Sequence, residues 1–192
     1  MPEQSDDLEA LSDAALLGRV GHGEMACFEV LYRRFEPRIF RFVSQRLNDH
    51  FAAADILHET MMTVWQKASS FEGRSAVSTW VFGIAYRKLM NSYRKHGRED
   101  LVDEMPEQVD ESPDQTMSVA AGDAAQQIER CLDGLSPSHR AVIELAFQED
   151  LSYREISDIV GTPEGTVKTR VFHAKRLLRN CLEKHAGHFE DW

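Results

Sequence analysis

The chain is 192 residues long, 42% hydrophobic and 28% charged, with 22 Lys+Arg against 32 Asp+Glu and a formal net charge of -10. That balance fits a soluble globular protein with material for one domain or two small ones, and excludes a fibrous or wholly disordered chain. Its longest uncharged stretch, Ser75 to Tyr86, falls well short of the roughly 20 residues of a bilayer span, and the acidic MPEQSDDLEALSD start lacks a signal peptide's basic-then-apolar order, so neither membrane insertion nor secretion is expected and the cytoplasm is the expected location.

In chain order, residues 1–12 read as an acidic tail, and residues 1–30 hold seven acids and one base, Arg19. From Phe28 the apolar residues Phe28, Leu31, Tyr32, Phe35, Ile39, Phe42 and Val43 recur at three and four, which predicts an amphipathic helix. Ile56, Met61, Val64 and Trp65 predict a second helix. A third is expected from about Ser78 to Tyr93, with Trp80, Val81, Ile84 and Leu89 inward. Charge changes sign here: residues 31–98 carry twelve bases and five acids. Arg87, Lys88, Asn91, Arg94 and Lys95 crowd the end of the third helix. Trp80 and Phe82 sit at its start, behind the short loop Phe71-Glu72-Gly73-Arg74-Ser75. Cations beside flat aromatic faces are what single-stranded DNA requires, neutralised phosphate and a surface for unstacked bases. Aromatics at helical spacing equally fit a core.

Residues 99–135 hold eleven acids and one base, Arg130. The run EDLVDEMPEQVDESPDQT, with Pro106 and Pro113, has few apolar residues and no period, so 99–118 is expected to be a flexible acidic linker. It reads either as a solvated spacer or as a segment with a specific role in a basic channel.

Residues 136–185 return to eight bases against seven acids. Ser136-Pro137 is a capped helix start. Ser152-Tyr153-Arg154-Glu155 is a capping box, and its helix, carrying Ile156, Ile159 and Val160, is expected to stop at Gly161. Thr162-Pro163 then caps another helix. Its apolar stripe is Val167, Val171, Ala174, Leu178 and Cys181 or Leu182, and Lys168, Arg170, Lys175, Arg176 and Arg179 lie mostly off it. Two capped helices joined through one Gly, the second longer and basic, match a helix-turn-helix with its recognition helix. An ordinary helical hairpin with a solvated basic face is the alternative. No stretch alternates with period two. The expected fold class is therefore all-α, two small helical domains at 13–98 and 119–185 joined by the acidic linker, with a tail at 186–192.

Cys27, Cys131 and Cys181 form no CxxC pair and read as free thiols of a reducing compartment; a Cys131–Cys181 disulfide inside the second domain is the other option. No HExxH, Cys/His cluster, nucleophile with a base, paired catalytic carboxylates or phosphate-binding Gly loop is present. No catalytic, metal or cofactor residue is expected, and the chain does not read as an enzyme.

The stretches FEVLYRRFEPRIFRFV, DILHETMMTVWQKA, FEGRSAVSTWVFGIAYRKLMNSYRK and LSYREISDIVGTPEGTVKTRVFHAKRLLR occur together, in this order, over most of residues 25–183. This set resembles the extracytoplasmic-function (ECF) class of bacterial sigma factors, of the sigma-70 family. The resemblance implies a transcription initiation factor that binds core RNA polymerase, directs it to promoters and assists their opening. Asp55, Ile56, Glu59, Val64 and Trp65 would dock on the clamp coiled coil of the largest subunit, and the second domain would meet the polymerase flap. Phe71, Gly73, Arg74, Ser75 and Trp80 would hold a base flipped from the minus-ten element, gripped also by Arg87, Lys88 and Asn91. Glu164, Gly165, Lys168, Thr169, Arg170, Phe172 and His173 would face the minus-thirty-five element. The resemblance also implies control by an anti-sigma factor, and no sensory C-terminal extension is expected. His58 stands where Gln is usual, Arg74 where an acid is usual, Val77 where an aromatic is common, and His173 where Arg is common. These departures bear on the promoter sequence more than on the class. Two other readings remain at this point: a sigma mimic that titrates an anti-sigma factor, and a helix-turn-helix regulator of duplex DNA acting without core polymerase.

Overall fold

The computed structural model describes residues 7–47, 49–95 and 123–186. The expected linker at 99–118 and the residues at 187–192 lie outside these. Among the described residues there is no strand, and the all-α expectation holds.

The first body contains α1 (Asp13–Val20), α2 (Met25–Ser44), α3 (His50–Lys67), a 3-10 turn (Ala68–Ser70) and α4 (Val77–Lys95). The Ser12 hydroxyl starts α1 by accepting from the Ala15 N–H at 3.2 Å, and Leu16, Leu17 and Val20 anchor it in the core. Periodicity over eight residues is too brief to have shown this helix. The segment before it is not loose: Arg34 donates to the Leu11 carbonyl at 2.9 Å, to Asp13 at 2.6 Å and to the Glu9 carbonyl at 2.6 Å, while Arg33 pairs with Glu9. Residues 7–12, read from sequence as tail, are thus tied to α2.

The apolar stripe expected for α2 is buried as spaced, with Leu31, Phe35, Ile39, Phe42 and Val43 almost fully enclosed. Asp49 caps α3 through the Phe51 and Ala52 N–H groups. In α4, Phe82 is core and meets Phe42 edge-on at 5.4 Å, so the exposed-aromatic option fails for that residue.

The second body contains α5 (Asp123–Asp133), α6 (Pro137–Phe147), α7 (Tyr153–Val160) and α8 (Glu164–Ala186). Ser136 caps α6 with Pro137 in its first turn. The capping box of α7 closes: Ser152 Oγ accepts from the Glu155 N–H, and the Glu155 carboxylate accepts from the Ser152 N–H at 2.9 Å. Gly161 ends α7 with φ of 70°, the left-handed region that costs Gly least. Thr162 departs from expectation: its buried hydroxyl reaches no partner among the described residues, and its carbonyl accepts from Ser157 at 2.6 Å.

Cys131 of α5 and Cys181 of α8 are joined by a disulfide, Cα to Cα 5.8 Å, and Cys27 is free and buried. This corrects the expectation of three free thiols, because the helix carrying Cys181 crosses α5 at bonding distance.

The two bodies pack α4 against α7, and their interiors join in one apolar core. The seam is also ionic. Glu149 accepts from Arg38 and Arg41 of α2, Glu129 from Gln45, and Glu155 from the Thr79 hydroxyl at 3.0 Å. Below these, Arg46 pairs with Glu144 at 2.6 Å, both side chains 1% exposed.

Ser152→Ala is expected to cost about 1 kcal/mol, because it leaves early N–H groups of α7 unpaired; urea titration of the two proteins checks it. The Ser152 hydroxyl, then its N–H, hold Glu155 below the ordinary carboxylate value. That contribution is present above the unfolded carboxylate value and is lost as pH falls through the folded one, so the gap between parent and variant should narrow in acid.

Candidate nucleic-acid interface

On α8 the helical repeat sorts the expected contact residues. At about 100° per residue, and with Glu164 at zero, Lys168, Phe172, Gly165, Thr169 and His173 fall within the next 180° or so. Val167, Val171 and Ala174 fall between about 280° and 340°, and are the residues buried against the rest of the body. Six of the seven expected residues therefore share the outer arc. Arg170 sits at its flank, at about 240°, and is half-buried.

The arc is chemically mixed. Glu164 and Lys168 pair at 2.7 Å while both remain exposed, which holds the ammonium above its ordinary value through its bond to Glu164. Thr169 Oγ1 donates to the Gly165 carbonyl at 3.0 Å. Phe172 is 66% exposed and meets the His173 ring edge-on at 5.7 Å. A large bare aromatic on a cationic helix offers apolar contact to a thymine methyl, and the flanking cations suit phosphate or guanine. Behind the arc, burial first, then His173 and Arg170, push His139 below the ordinary imidazole value.

The first body builds a second surface. Gly73, with φ of 69°, turns the loop before α4. Phe71 leans on Trp80 with ring centroids 5.2 Å apart, both half-buried. Arg74 is bare apart from Glu72 at 2.9 Å, and Ser75 is half-buried beside it. Along α4, Trp80, Arg87 and Asn91 are spaced seven and four apart and share a stripe, with Arg87 and Asn91 exposed. Asn91 accepts from Arg94. Lys88 lies beside the stripe and pairs with Glu59 of α3 at 3.2 Å.

On α3 the expected residues divide. Asp55 and Glu59 are exposed and Trp65 is half-buried, packed edge-on against Phe28 at 5.2 Å. Ile56 and Val64 are 6% and 1% exposed. They face the core and hold α3 in place, which corrects their assignment to a docking surface. Sequence reading missed Phe51, 86% exposed, and Met62, also exposed. Phe51, Asp55, His58, Met62 and Trp65 recur at four, three, four and three, the spacing of a coiled-coil seam. That repeat was visible in the sequence, but His and Asp in it hid the stripe.

No helix among the described residues is long and apolar enough to cross a membrane, and none of their His, Cys, Asp and Glu side chains are grouped to hold a metal ion.

Comparisons with known proteins agree with this division into two bodies. Residues 31–99 match the family model "Sigma-70 region 2" and residues 125–178 match "Sigma-70, region 4". The chain is 31% identical over 186 residues to the ECF RNA polymerase sigma factor SigK of Mycobacterium ulcerans, covering 95% of this chain and 97% of that one. It is 32% identical over 169 residues to the ECF RNA polymerase sigma factor RpoE of Cereibacter sphaeroides, covering 85% and 88%. Among solved structures it is similar to the sigma factor RpoE of Bartonella quintana in complex with the anti-sigma factor NepR, with TM-score 0.59, 31% identity, and 77% and 91% of the two chains covered.

Proposed function

The chain belongs to the ECF sigma factors of the sigma-70 family, and from that premise we propose that it is a cytoplasmic transcription initiation factor that recruits core RNA polymerase to promoters. The single observation that carries this reading is the pair of separate exposed surfaces. One is the outer arc of α8, shaped for duplex DNA in the major groove; the other is the Trp80, Arg87 and Asn91 stripe with its aromatic loop, suited to unstacked single strands.

In this reading the heptad-spaced stripe of α3, with Asp55 on it and Glu59 exposed beside it, docks on the clamp coiled coil of the largest polymerase subunit. The second body lies at the flap. Phe71, Gly73, Arg74 and Ser75 cradle a flipped base of the minus-ten element, and Arg87, Lys88 and Asn91 grip its backbone or edges. Glu164, Gly165, Lys168, Thr169, Arg170, Phe172 and His173 read the minus-thirty-five element. Melting follows from differential binding: an extruded base gains contacts in the open state that paired DNA cannot make. The chain itself makes and breaks no bonds. An anti-sigma factor controls it, by analogy with the Bartonella complex.

Run-off transcription on genomic fragments with purified core polymerase tests this. New discrete transcripts are expected only when the protein is present. Lys168→Ala/Arg170→Ala and Arg87→Ala/Lys88→Ala should each lower promoter-specific output by about tenfold or more, since a good base contact is worth about 1–3 kcal/mol, with core binding intact. Core binding without transcripts would instead mark an inhibitor or a missing activator, and no core binding would leave the duplex-DNA regulator or the sigma mimic.

A further inference from the structure

At one edge of the outer arc of α8, side chains from two helices bring like charge together. Arg170 and His173 stand there about one turn apart, at about 240° and 180° on the helical repeat, and both are half-buried. His139 reaches them from the first turn of α6, which packs along α8. Its Nδ1 lies 2.9 Å from Ser136 Oγ, which lies 3.3 Å from Ser138 Oγ. Its Nε2 meets no hydrogen-bond partner among the described residues, and nor does either ring nitrogen of His173.

No carboxylate among the described residues pairs with either imidazole. Arg140, beside His139 in sequence, turns inward onto Glu144, Asp133 and Glu129. The groups that act on His139 across the packed faces are His173 and Arg170 of α8. With burial, which acts most, they hold its imidazole below the ordinary value. His173 faces His139 and, edge-on, the Phe172 ring. Imidazoles crowded against a guanidinium disfavour each other's charge, and an anion seated among them reverses that.

DNA supplies such an anion at this place. A helix about 10–12 Å across fills a major groove about 12 Å wide. The middle of its outer arc then faces base edges, while residues at the edge of the arc lie against the phosphates of the groove wall. We propose that His139, Arg170 and His173 seat one phosphate of the promoter backbone. The proposal rests on the sigma-factor reading and refines it: Arg170 and His173 serve the minus-thirty-five element through its backbone, joined by His139, which the sequence did not mark. The seat fixes the register of α8 along the groove and adds no base preference of its own. Phosphate favours the cationic imidazole, so DNA binding takes up protons and strengthens as pH falls through the imidazole range.

Fluorescence anisotropy tests this, with holoenzyme assembled from purified core polymerase and a labelled promoter duplex identified by run-off transcription. The affinity of the parent is expected to rise about three- to tenfold from pH 8 to pH 6, the effect of an imidazole shifted by up to about one unit. His139→Asn keeps a polar group beside Ser136 and removes Nε2. His173→Gln, off the apolar stripe of α8, keeps the test decisive if His139→Asn loosens α6. Each should flatten the pH response and lower the slope of log affinity against log salt by about 1, equally on duplexes that differ in base sequence. His173→Arg should bind more tightly than the parent at pH 8. The proposal is overturned if both single variants keep the parent's pH response and salt slope, or if their losses appear on one base sequence only, the mark of a base contact. A parent that binds no promoter at either pH defeats the sigma-factor reading itself, a result distinct from either of these.

Discussion

Replacing Glu144 with Ala should destabilise the folded chain by about 3–5 kcal/mol, the cost of stranding a buried charge. Arg46 and Glu144 are each 1% exposed, and they pair across the seam between the two bodies. Burial holds the Arg46 guanidinium below its ordinary value, against the pull of Glu144. Its remaining contacts are weak substitutes: it donates to the Phe42 carbonyl and lies 3.8 Å from the centre of the Phe42 ring, while Nε and Nη2 find no partner among the described residues. Arg140, the other guanidinium on Glu144, also holds Asp133 and Glu129, so it survives the change. The loss therefore falls on Arg46. Arg46→Met/Glu144→Gln removes both charges together and should recover most of the stability, because a buried pair repays little beyond its own desolvation. Urea unfolding of the parent, Arg46→Met, Glu144→Gln and the double variant measures the coupling. A cost for Glu144→Ala below about 1 kcal/mol would mean that the bodies do not meet through this pair in solution.

Breaking the Cys131–Cys181 bond should cost about 4 kcal/mol, since a cross-link over a sequence separation of 50 removes that much chain entropy from the unfolded state. For a chain of this size the loss corresponds to a fall in Tm of roughly 10 °C. Cys131→Ser/Cys181→Ser and the parent under strong reductant should fall together, and Cys27→Ala should respond to reductant as the parent does. An unchanged Tm under reductant would show the two thiols unpaired.

The helices that could be read from sequence are those with enough turns to repeat. Leu31 to Val43 and Val167 to Ala174 announced their buried faces by spacing alone, and Ser152 with Glu155 announced a helix start. Short α1 and the acidic α5 did not, since α1 has only three core anchors and α5 buries only Cys131 and Leu132 among its described apolar residues. The exposed outer arc of α8 was legible for the same reason that its buried stripe was: helical geometry assigns the residues between apolar positions to the opposite face. Ile56 and Val64 are core residues because the packing of α3 against α2 and α4, not its spacing alone, decides which side faces solvent.

Composition, local caps and periodicity determined that this chain is helical, in two parts, with a helix-turn-helix in the second. These are properties of neighbours in sequence, carried by backbone hydrogen bonding and a repeat of 3.6 residues. Tertiary structure decided where the charge goes. The basic excess of residues 31–98 reads from sequence as a nucleic-acid surface, yet Arg38, Arg41 and Arg46 face Glu149 and Glu144 from more than ninety positions away. A carboxylate brought to within about 3 Å of a guanidinium in a dry seam outweighs any trend along the chain, and only packing determines which acids and bases meet.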